Sequence, residues 1–232
     1  MKYILLSTFM VISLSFTCTG QTGSTDSVSS KIRNGIWLTP VSRYNTTING
    51  LAVGLLAGAI MDAEKLYVNG VNIEASPLSV IGGTIVLVGS FISPITTDLK
   101  KTYSPHKNKN LDFFPYFIDS ASKIQSIKIN GLSISTGLPI INELNGVAIN
   151  GIYSGVEIMN GLEITGLINY HYTFNGLLIA GFRNKTTRGR GIQIALFNSC
   201  LECNAVQIGL INRIGKRVTP LINFSLKKNN SE

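Results

Sequence analysis

The sequence predicts an all-β protein, a β-solenoid-like stack of about 15-residue repeats with an irregular insertion, and two observations carry that prediction. The first is a recurring dipeptide: Asn130-Gly131, Asn145-Gly146, Asn160-Gly161 and Asn175-Gly176 follow one another at steps of 15 residues. Arg190-Gly191 keeps the step, and Asn204-Ala205 misses it by one residue. The second is the run after each glycine: an apolar residue, a variable residue, then isoleucine, as in Leu132-Ser133-Ile134, Leu162-Glu163-Ile164 and Ile192-Gln193-Ile194. Period two is the signature of a strand with one face turned inward.

Each phrase closes on a second asparagine, at Asn169, Asn184, Asn198 and Asn212. Asparagine and glycine tolerate positive backbone dihedrals, so each unit reads as a strand bracketed by two turn residues. The variable site holds Ser133, Ala148, Glu163, Leu178, Gln193 and Gln207, mostly polar, and is expected to face water. Leu162 and Ile164 are then expected in the core, Glu163 outside, and Asn160 with Asn169 stacked or turning.

Two other architectures use the same letters. Asn-Gly also closes hairpins, which would give an antiparallel meander or a β-barrel. The coil is favoured because a 15-residue turn at about 3.3 Å per residue has a contour near 50 Å, enough for a flattened coil with a narrow core. It also brings the asparagines at both ends back into equivalent places. An outer-membrane barrel would want a terminal aromatic strand, whereas this chain ends in LKKNNSE.

Taken from the start, residues 1–20 have Lys2, an apolar run from Tyr3 to Phe16 and small residues before Gln21, the layout of a signal peptide. Cys18 offers the alternative of lipid anchoring. Residues 21–31 are small and polar and read as a flexible tether. The β-repeat domain is expected over 32–226, opening with the looser copies at Asn34-Gly35, Asn49-Gly50 and Asn69-Gly70. An insertion at about 76–127 loses the period and puts a single uninterrupted stack in doubt; within it Asp98 to Pro115 is polar, basic and punctuated by proline. Residues 227–232 form a polar tail.

The formal charge is +8, and the excess gathers near the end of the chain. Arg183, Lys185, Arg188, Arg190, Arg213, Lys216 and Arg217 form a candidate patch for anionic glycan or lipid headgroups. An exported chain makes nucleic acid the least expected partner, and the plain reading is a solvated edge of the stack.

The phrases GIQIALFN (Gly191 to Asn198), AVQIGLIN (Ala205 to Asn212) and GKRVTPLINF (Gly215 to Phe224) resemble the exported surface-repeat proteins of leptospires and Bacteroidetes, in which NGLQIGLIN-like phrases recur. The resemblance spans most of Ile32 to Phe224 and implies a secreted or cell-surface repeat protein without assigned enzymatic activity.

Chemistry-bearing residues are few. Cys200 and Cys203 read first as a small disulfide stapling a turn between repeats and next as free structural thiols, ahead of a redox pair or half a zinc site; zinc would need two further ligands, and the only histidines are His106 and His171. His171, between two tyrosines, is expected in an exposed aromatic loop, and His106 among the lysines of the insertion. No catalytic, cofactor or metal residues are assigned. The expected function is that of a non-catalytic exported or cell-surface β-repeat protein presenting a structural or binding surface. The alternative is an outer-membrane β-barrel or envelope assembly component.

Overall fold

The computed structural model describes residues 31–39, 45–55, 65–75 and 126–226. The expected signal peptide with Cys18, most of the expected tether and insertion, His106 and the expected tail lie outside the described residues. Among the described residues ten strands form one sheet in sequence order: β1 Lys31–Thr39, β2 Thr46–Leu55, β3 Lys65–Ala75, β4 Ser126–Ser135, β5 Leu138–Asn150, β6 Tyr153–Thr165, β7 Ile168–Ala180, β8 Arg183–Ile194, β9 Phe197–Ile214 and β10 Arg217–Phe224. β1 to β9 pair in parallel, each with the next, and β10 alone runs antiparallel, against β9. Parallel neighbours in strict repeat register are the arrangement of a β-solenoid, and they select the coil over the meander and the barrel.

The register is set by the Asn-Gly pairs. Asn34, Asn49, Asn69, Asn130, Asn145, Asn160 and Asn175 lie directly opposite one another from strand to strand. The stack therefore continues across the insertion: β3 meets β4 with Asn69 against Asn130, although 61 residues separate them in the chain. This corrects the doubt about an uninterrupted stack. β4 also begins at Ser126, inside the expected insertion, and β1 at Lys31, inside the expected tether.

The asparagine column is hydrogen-bonded along the stack. Each Nδ2 donates to the Oδ1 of the preceding strand, at 3.1 Å for Asn49 to Asn34 and 2.8 Å for Asn160 to Asn145 and Asn175 to Asn160. Beside it runs a column of glycines with positive φ, 130° at Gly161, and a Cβ there would come within 2.0 Å of the carbonyl oxygen of Gly146. Only glycine fits that close approach.

Asn-Gly is not a strand end, however. It sits in the middle of strands such as β6, and the strands end instead near Gly166-Leu167 and Gly181-Phe182. A bend inside a strand keeps the in-and-out alternation running through it, whereas a turn would have allowed it to restart. In β4 the inward residues are Ile127, Ile129, Ser133 and Ser135, two on each side of Asn130-Gly131.

That phase overturns the expected faces. Glu163 is fully buried and Ile164 is 39% exposed, with Leu162 half-buried. The variable site points inward throughout, at Ser133, Ala148, Glu163, Leu178, Gln193 and Gln207, and is not wet. The physical reason is the narrow interior. Large apolar side chains before Asn-Gly, among them Val68, Ile129, Leu144, Met159 and Phe174, fill the core, so the inward positions after it hold mainly small or mutually hydrogen-bonded residues. Stacking supplies most of the buried polar side chains with a partner on a neighbouring coil, which offsets their desolvation, although the buried Ser154 hydroxyl has none.

Candidate functional site

Many polar side chains inside the coil join hydrogen-bonded networks that run from strand to strand. Ser135 donates to Asn150 Oδ1 at 2.8 Å, and Asn150 Nδ2 donates to Glu163 Oε1 at 2.7 Å. Glu163 Oε2 faces His171 Nε2 at 2.9 Å, an ion-pair contact, and neither atom has a hydrogen-bond partner. His171 Nδ1 lies 3.0 Å from the carbonyl of Val156, which can only accept, so Nδ1 carries a hydrogen. His171 is thus buried, correcting its expected place in an exposed loop.

A second asparagine column lies inside. Asn169 donates to Asn184, Asn184 to Asn198 and Asn198 to Asn212 at 2.8–3.0 Å, toward the C-terminus, opposite in sense to the outer column. Asn160 and Asn169 both stack, as expected. Gln207 Nε2 donates to Gln193 Oε1 at 2.7 Å, and Gln193 Nε2 donates to Thr186 Oγ1 at 3.1 Å. Buried and largely bonded to one another, these groups tie neighbouring coils together.

Cys200 and Cys203 are joined by a disulfide with their Cα atoms 6.0 Å apart. Both point inward from β9, so the bridge spans the bend at Leu201-Glu202 inside the coil rather than a turn between repeats. Among the described residues no group of three or more His, Cys, Asp or Glu side chains gathers to hold a metal ion.

The basic residues are placed variously. Arg183 is buried, and Lys185 is half-buried with Nζ 5.3 Å from the centre of the Tyr170 ring. Burial, and then the neighbouring Arg183 charge, push the Lys185 ammonium down to about 8. Arg188 pairs with Glu202 at 3.1 Å, and Arg190 takes the place after Asn175 in the outer column. Arg213 Nε donates to the carbonyl of Gly215, while Lys216 and Arg217 stand exposed at the turn into β10, where Arg217 donates to the carbonyl of Phe224. Arg183 and Lys185 are neighbours, and Lys216 and Arg217 are neighbours; Arg188 is neutralised by its acid.

What faces outward without interruption is aliphatic. The residue after each Asn-Gly forms one column, from Ile36 on β1 to Val206 on β9, and the residue two further on forms another, from Leu38 to Ile208. Every member is Leu, Ile or Val, and each is half-buried or exposed. β10 extends both columns although it runs the other way: Phe224 pairs with Val206 and Ile222 with Ile208, and both are exposed. Asn223 between them points inward and is buried. The capping strand is no copy of the repeat phrase, yet it keeps the same outward chemistry.

These residues stand out in the sequence, but their regularity reads there as core. The signal that assigns them outward lies upstream of Asn-Gly, where Ile127-Lys128-Ile129 and Leu66-Tyr67-Val68 mark which parity is inside, provided the alternation is carried through the glycine. Comparison with family models, with curated proteins and with solved structures returned no match.

Proposed function

We propose that this protein is a non-catalytic, exported or cell-surface β-repeat scaffold whose work is done by its outer aliphatic face. The observation that carries the reading is the division of chemistry between the two sides of one sheet segment. The titratable pair, the amides and most hydroxyls point inward and are spent on one another, while the solvent side offers two columns of Leu, Ile and Val on nine consecutive strands, continued by Ile222 and Phe224 on the tenth. A contiguous exposed apolar surface of this length marks an interaction site rather than a solvated wall. The amino-terminal layout and the likeness of the repeat phrases to surface-repeat proteins support export and surface exposure.

The test is fractionation of cells expressing the full chain, with the variant Ile149→Lys plus Ile164→Lys alongside. The expected result is that the natural chain leaves the cytoplasm and stays with the envelope, while the variant is exported but released. A natural chain that stays in the cytoplasm removes the export reading. Equal envelope retention of both removes the face as the contact site, and in that case binding of anionic polysaccharide or vesicles by Lys216 and Arg217 becomes the reading to pursue.

A further inference from the structure

We propose that the outer aliphatic face is covered by a second copy of the same chain, two solenoids packing sheet to sheet in a symmetric dimer. The inference rests on the contact-face reading and names the partner. Ten strands at about 4.8 Å make the stripe about 43 Å long, and two columns with their flanks are about 12 Å wide, so each copy offers roughly 500 Å². Burying it on both copies removes about 1,000 Å², the order at which a specific interface becomes stable. Two sheets meeting through branched aliphatic side chains pack about 10 Å apart with interdigitating faces, the arrangement of a sandwich core.

The chemistry of the two columns favours a copy over a lipid surface. The outward residues on the far side of the asparagine column include Lys128 with Glu143 at 3.0 Å and Arg188 with Glu202 at 3.1 Å, pairs that neutralise themselves. These two pairs add no net charge beside the face; Arg190, exposed in the asparagine column, and Arg217 over the Phe224 ring are the positive charges next to it. The two columns hold no Trp or Tyr, the residues that settle a protein at a membrane boundary; their one aromatic is Phe224 on the capping strand, and a single tyrosine, Tyr67, stands on the rim opposite Lys128. From Asn34 to Asn175 the asparagine column along the rim is already bonded to itself, so a partner need not satisfy it there. An isologous contact uses the same patch twice and closes without leaving a second face exposed.

The experiment is sedimentation velocity on the exported chain over a wide concentration range, with circular dichroism confirming the fold of each variant. The natural chain is expected at twice the mass of one copy. Ile149→Lys plus Ile164→Lys places like charges across the contact and is expected to weaken association at least about a hundredfold while leaving the spectrum unchanged. Should the lysine variant not fold, Ile149→Thr plus Ile164→Thr, which keeps the β-branched shape, is expected to shift the same equilibrium in the same direction. A natural chain that stays monomeric overturns the proposal, as does a dimer that either variant leaves intact. Flotation of a monomeric natural chain with phosphatidylcholine or phosphatidylglycerol vesicles, lost in the variant, overturns it in favour of lipid. Envelope retention is scored separately, so a monomer that is still retained removes the dimer and leaves the contact face standing.

Discussion

The buried Glu163–His171 pair bridges β6 and β7 inside the coil, and removing either partner should cost far more than an ordinary surface change. Both side chains have no exposed surface, and the carboxylate has two contacts: Asn150 at 2.7 Å on one oxygen and His171 at 2.9 Å on the other. His171→Ala leaves a carboxylate in the core with one donor, and Glu163→Ala leaves the imidazole with only the Val156 carbonyl. Breaking a buried pair by removing one member costs about 3–5 kcal/mol, because the survivor stays desolvated. With a urea slope near 2 kcal/mol per molar, that moves the unfolding midpoint down by about 2 M. Glu163→Gln is the informative control. Its carbonyl still accepts from Asn150, and its amide donates to an Nε2 that is left as an acceptor, so the loss should stay below about 1.5 kcal/mol. Urea titrations of the three single variants and the Glu163→Ala/His171→Ala double variant measure this, and the double-mutant cycle should return a coupling above about 2 kcal/mol. If both alanine variants unfold within about 0.5 kcal/mol of the natural chain, as an exposed substitution does, the pair is not a structural bond and the account of the interior fails.

The remaining predictions concern the columns and a buried ammonium. Gly161→Ala should destabilise by more than the about 1 kcal/mol of an ordinary backbone effect, because its Cβ would meet the Gly146 carbonyl at a φ of 130°; Gly35→Ala, with nothing within 4 Å, should cost less in the same urea titration. Asn160→Ala removes two rungs of the outer column, to Asn145 and Asn175, and should cost about 1–2 kcal/mol, whereas Asn34→Ala at the end of the column removes one and should cost about half as much. Lys185 has a folded value of about 8, below the 10.5 of the free side chain, so between those two pH values the unfolded chain holds more protons than the folded one. The penalty for burying its charge is therefore fully present below pH 8 and relieved as pH rises toward 10.5. Midpoints measured at pH 7 and at pH 9.5 should differ in favour of the higher pH by more in the natural chain than in Lys185→Met; an equal difference would show that the ammonium is not desolvated.

Much of the architecture is legible in the letters because parallel stacking makes every coil meet its own copy. A repeat of 15 residues with asparagine at a fixed place is sufficient reason for Asn145, Asn160 and Asn175 to line up and bond, and Cys200 and Cys203 are close enough in sequence to join. What the letters hide is the exit and return of the insertion between Ala75 and Ser126. Whether the chain comes back into register there depends on pairing between β3 and β4, which is non-local. His171 was obscured for a similar reason: its acid is eight residues earlier but on another coil, and only the coil geometry brings Glu163 to it.

The sequence by itself determined the period, the strand content, the stacked asparagines and the two alternating faces of each strand. Only the tertiary structure decided which face is inside. Alternation is symmetric under exchange of its faces, and the usual assignment of apolar residues inward is a statement about where water is excluded, which a strand cannot know alone. Here Val68, Ile129, Met159 and Phe174 occupy the interior volume, so the segment after Asn-Gly turns Glu163, Gln193 and Gln207 inward onto hydrogen-bonded neighbours and leaves Leu162 and Ile164 outside. The same choice that closes the core creates the outer aliphatic face.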